Sequence, residues 1–136
     1  MMDRERIESR LSMLESYSGR IKNMLPDSEA AYRKSQPEKK AATERYLQII
    51  SELELDIIVL LYKEKEARPL GSEESVVDSM LPILGSGVVD AVRARRRLRN
   101  KLVHAYTNIE DNEVFSLSHN LKDVQEFKKA VKKLLK

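Results

Sequence analysis

Cysteine and tryptophan are both absent from the 136-residue chain. Without a thiol there can be no disulfide, thiolate zinc site or cysteine nucleophile, and the composition fits a reducing compartment. Glycine and proline are scarce, four of each, which argues against a loop-rich or disordered chain and for long amphipathic helices. Long apolar runs are missing as well. The longest, Ile57 to Tyr62, falls far short of the roughly 20 residues that span a bilayer. The opening "MMDRERIESR" is charged with no apolar stretch behind it, unlike a secretory signal. A soluble, cytoplasmic protein without membrane contact is therefore expected. Histidine occurs only twice, too sparsely for a structural metal site in a chain without cysteine, so neither metal nor cofactor is expected.

What is present is a balance of 41% hydrophobic and 35% charged residues, enough for one domain over residues 1–136 with its own core. From about Asp3 to Met24, Ile7, Leu11, Leu14, Ser18, Ile21 and Leu25 recur at steps of four and three, one stripe of a helix. A short turn is expected between Asp27 and Ser35, then a long buried helix from about Pro37 to Glu66 carrying Tyr46, Ile49, Ile50, Leu53, Ile57, Leu60 and Leu61. Ser72 should cap a short helix that Pro82 kinks or ends. The "GSG" at 85–87 should open a loop before a helix from about Val88 to Tyr106, with Val88, Ala91, Leu98, Leu102 and Ala105 inward. Asn108 or Asp111 should cap a final helix from about Asn112 to Leu135. This pattern predicts an all-α, antiparallel bundle of four to five helices.

Net charge is only +3, but its distribution is uneven. Between Arg93 and Lys101 stand six basic residues and no acidic one, and Lys128, Lys129, Lys132, Lys133 and Lys136 close the chain. Such patches attract phosphates even on a nearly neutral protein. Arg93, Arg96, Arg97 and Lys101 are the candidate RNA contacts, with a solvated helix face as the plainer reading. Arg95 falls near the apolar stripe and is expected to pair with a buried acid. No aromatic residues interleave with the arginines, so base stacking is not indicated.

Directly behind the arginines comes "LRNKLVHAY", residues 98–106. On an ideal helix Arg99 and Tyr106 nearly eclipse, whereas Arg99 and His104 stand about 140° apart. Arg93, Arg97, Asn100 and His104 share a polar face away from Leu98 and Leu102. An imidazole for proton transfer and guanidinium groups for an anion suit metal-free RNA cleavage. The same residues could also form a solvated face or a plain anion contact. Glu52, Glu54 and Asp56, two apart, point in different directions on a helix, which argues against paired-acid catalysis. Glu52 is expected to bond to the arginine helix instead. His119 reads as a surface or packing residue.

"RNKLVHAY" resembles the signature of the HEPN superfamily, and more narrowly of its HepT-like toxin branch: Arg, a polar residue, three positions, His, any residue, Tyr. "ERYLQIISE", Glu44 to Glu52, resembles the same branch's pattern in the long central helix, as do "GVVD" before the arginines and "NIEDNEVF" after the motif. The resemblance covers about Ala41 to Leu135. It implies a helical homodimer whose paired motifs line a cleft, and a metal-independent endoribonuclease toxin. By position, Arg99 and His104 would be catalytic and Asn100 their polar helper. Tyr106 would be the residue that a partner minimal nucleotidyltransferase antitoxin modifies with AMP. A cleft built by two chains would remove the difficulty of the 140° separation. The alternative is a non-catalytic nucleotide- or RNA-binding helical module that partners a nucleotidyltransferase.

Overall fold

A computed structural model describes residues 3–65, 69–104 and 108–136. Its described residues form eight helices: α1 Arg4–Met24, α2 Glu29–Arg33, α3 Pro37–Lys65, α4 Glu73–Asp78, α5 Leu81–Leu84, α6 Ser86–His104, α7 Asp111–His119 and α8 Lys122–Leu134. The four longest are α1, α3, α6 and α8, and the short ones lie between them in the chain. The all-α bundle expected from periodicity is what the chain adopts.

The long helix α3 is the hub, packed against α1 on one side and α6 on another. Its buried residues include Leu47, Ile50, Leu53, Ile57, Ile58 and Leu61. This face is rotated from the expected stripe, with Tyr46, Ile49 and Leu60 only partly covered at its edge. From α1 come Ile7, Leu11, Leu14 and Ile21, and from α8 Val124, Phe127 and Val131. On α6 the buried set is Val88, Val89, Val92, Arg95 and Leu98. Ala91 and Leu102 are half-buried beside it.

Helix ends follow local chemistry. The hydroxyls of Ser28 and Ser72 accept from the backbone N–H groups of Ala31 and Ser75, both at 3.1 Å, and start α2 and α4. Pro82 ends the α4 segment as expected and sits in the first turn of α5, where its missing N–H costs nothing. "GSG" is not a loop. Gly85 alone lies between α5 and α6, at φ 84°, and its carbonyl accepts from Val89 N–H at 3.1 Å within the first turn of the following helix. The final helix is two helices, broken at Asn120 and Leu121, where Asn120 turns extended. Neither Asn108 nor Asp111 caps it. Glu110 holds the cap position of α7, while the Asp111 carboxylate accepts from Lys40 at 3.0 Å. No helix among the described residues is long and apolar enough to cross a membrane.

Candidate active site and its arginine helix

Helix α6 carries every described residue of the arginine motif. Val88, Val89, Val92 and Leu98 anchor one side in the core, which turns Arg97, Asn100 and His104 outward, all exposed. His104 is the last described residue of α6, at the bundle surface and outside the hydrophobic interior. Tyr106 lies outside the described residues.

Arg99 is held from the neighbouring helix. Its Nε donates to Glu52 Oε2 of α3 at 3.1 Å, and Gln48, one turn earlier, donates to the same oxygen at 3.4 Å. Nη1 donates to Asn100 Oδ1 at 3.3 Å. The polar residue beside the arginine therefore contacts the guanidinium directly. Nη2 has no hydrogen-bond partner among the described residues, and the Arg99 side chain is 24% exposed. The guanidinium is oriented yet keeps a donor for an incoming anion.

The three acids two apart on α3 do point in different directions, each to its own arginine. Glu52 takes Arg99, Glu54 takes Arg95, and Asp56 reaches Arg10 of α1 at 3.5 Å. The Arg95–Glu54 pair is fully buried and bidentate, Nε to Oε1 at 2.8 Å and Nη2 to Oε2 at 2.6 Å. The remaining Nη1 donates to Asp123 of α8 at 2.7 Å. Burial works against the Arg95 charge, but Glu54 and then Asp123 more than offset it and hold the guanidinium above its ordinary range.

The other basic residues of α6 are also engaged. Arg96 makes a bidentate pair with Glu73 of α4, at 2.9 and 2.6 Å, which holds the Glu73 carboxyl below its usual range. Arg93 pairs with Asp78 and Asp90, and Lys101 with Glu113 of α7 at 3.0 Å. Of the six, Arg97 alone has no partner among the described residues. These acids lie as many as 47 positions away in the chain, so the run of arginines reads as far more available than it is. Two of these pairings are signalled in the sequence, Arg95 with a buried acid and Glu52 with the arginine helix. His119 stacks on Phe115 at 5.0 Å between ring centroids, a packing role with its edge exposed.

The family profile described as Ribonuclease HepT-like matches residues 14–134, reaching further towards the N-terminus than the motif resemblance alone. A "tRNA nuclease HepT" of Aphanizomenon flos-aquae (strain 2012/KM1/D3) is 32% identical over 111 residues, 80% of this chain and 75% of that protein. The solved structure of YutE, a cytosolic protein of unknown function from Bacillus subtilis, is similar at a TM-score of 0.81. That match covers 98% of this chain and 91% of that one at 20% identity, a likeness of fold alone.

Proposed function

The chain belongs to the HepT-like ribonuclease family and is an endoribonuclease, and from that premise we propose that it is a toxin that cuts RNA without a metal, through Arg99 and His104 brought together where two copies meet. The observation that carries this reading is an exposed imidazole at the end of the same helix that presents a guanidinium with an open donor. The imidazole of His104 takes the proton of a ribose 2′-hydroxyl as its oxygen attacks the adjacent phosphorus. The bond to the 5′-oxygen breaks, leaving a 2′,3′-cyclic phosphate on one product; the departing oxygen takes a proton from water, and the hydroxide so formed is neutralised by the proton that the imidazolium gives back. The Arg99 guanidinium stabilises the charge that develops on the phosphate oxygens. Asn100 keeps that guanidinium in place. The substrate is transfer RNA, by likeness to the Aphanizomenon flos-aquae relative.

Arg97 meets the substrate backbone directly, and Arg93, Arg96 and Lys101 contribute as phosphates displace their carboxylates. The working enzyme is a homodimer with two composite clefts, which answers the 140° separation on one helix. A minimal nucleotidyltransferase antitoxin silences it by transferring AMP to Tyr106. Cleavage of tRNA in the presence of a chelator should fall by about 10²–10⁴-fold in His104→Ala with the helical signal unchanged. Full activity in that variant, or cleavage that the chelator abolishes, overturns the mechanism. Mixing Arg99→Ala with His104→Ala chains should restore part of the activity, because one cleft of each mixed dimer is intact. No recovery means each chain builds its own pocket. Intact mass after co-expression with the antitoxin should show AMP on the wild type and none on Tyr106→Phe.

A further inference from the structure

On α6, five of six basic side chains are already neutralised by the chain's own acids, yet a ribonuclease must still hold a polyanion. Beyond Arg97, a dense cluster of positive charge without ion-pair partners among the described residues lies on α8. Lys122, Lys129, Lys132, Lys133 and Lys136 are exposed, and none has an ion-pair partner among the described residues. Lys122, Lys129 and Lys133 fall within about 40° of one another on the helix, over a rise of about 16 Å, with Lys132 one step to the side. Glu126 is the exposed acid within this strip. Beyond it, Lys132 and Lys136 line a groove of about 520 Å³ between α1 and α8 with Arg4 on the opposite wall, where Glu8 is the acid without an ion-pair partner among the described residues.

We infer that this lysine face of α8 is where the RNA substrate's backbone lies outside the cleavage cleft. Asp123, next to Lys122, is bonded to Arg95 of α6, so the strip begins beside the helix that carries Arg99 and His104. Lysines are flexible point charges that grip phosphates without reading sequence. A lipid surface is a poorer fit. A helix lying on a membrane needs an apolar face to insert, whereas Val124, Phe127 and Val131 of α8 are fully buried in the core. The inference rests on the RNA-cleaving reading above and extends it to a surface that the motif does not reach.

The test is a full chain carrying Lys129→Gln, Lys132→Gln, Lys133→Gln and Lys136→Gln. Its control is a chain with the same loss of charge at exposed lysines elsewhere: Lys22→Gln, Lys34→Gln, Lys39→Gln and Lys63→Gln. Binding to a tRNA is titrated across salt concentrations. The α8 variant should bind at least about tenfold more weakly and show a log K against log salt slope shallower by about 3, from four lost phosphate contacts. The control should keep the wild-type slope. The preference in kcat/KM for tRNA over a trinucleotide should fall at least tenfold in the α8 variant. Equal slopes in the two variants overturn the inference, as does an α8 variant that keeps its RNA affinity while losing binding to phosphatidylserine vesicles. If the wild type cleaves no RNA, the Arg99 and His104 mechanism fails, while the salt slopes still decide the role of α8.

Discussion

At the scale of single residues, burial decides what a polar group can do. Tyr32 is fully buried, and that burial, with the charges of Glu44 and Asp111 adding to it, pushes its phenol up to about 12. An unfolded tyrosine ionises near ~10. Its neutral form therefore supports the fold fully below pH ~10, and that support is lost as the pH rises from there through about 12. Spectrophotometric titration of the five tyrosines should resolve a late phase near 12, absent in Tyr32→Phe. Some residue roles were legible from helical phase alone. Arg95 sits on the apolar side of its helix, where a guanidinium must find an acid, and the outward phase of His104 placed it on the surface. The identity of the partners was not legible. Glu54, Glu73, Asp78 and Glu113 reach α6 only through tertiary packing, and nothing in the local sequence ties them to their arginines.

Among the elements, the places where the chain changes direction were the hardest to read. Apolar spacing continues smoothly from Val114 through Leu117 and Leu121 to Val124, with no glycine or proline between, so it hides the break at Asn120. At "GSG" the opposite happened: two glycines suggested a loop where one suffices. Only Gly85 has a backbone that side chains resist, with φ 84° and ψ 159°. Gly87 lies in the first turn of α6, and a methyl group added there would meet nothing within 4 Å. Gly85→Ala should thus cost about 1–3 kcal/mol, whereas Gly87→Ala should be neutral or gain up to about 1 kcal/mol. Urea unfolding of the two variants measures both, and equal losses would show that the turn, and not the helix start, governs each position.

For the whole molecule, the buried Arg95 joins α3, α6 and α8 through Glu54 and Asp123. Glu54→Gln leaves the guanidinium buried with Asp123 as its one carboxylate partner and should cost about 3–5 kcal/mol in chemical denaturation. Replacing both partners with apolar residues of similar volume, Arg95→Met with Glu54→Leu, should cost much less. A double variant as unstable as the single would show that the pair supplies net stability to the bundle. The acids of α3 have a mechanical meaning as well. Glu52, Glu54 and Asp56 reach arginines on two different neighbours, like keys cut around a shaft. A slip of α3 by one helical turn, or a twist about its own axis, would unseat all three at once. The central rod is thereby locked in depth and rotation, and the guanidinium of Arg99 is aimed by the same teeth that align the scaffold.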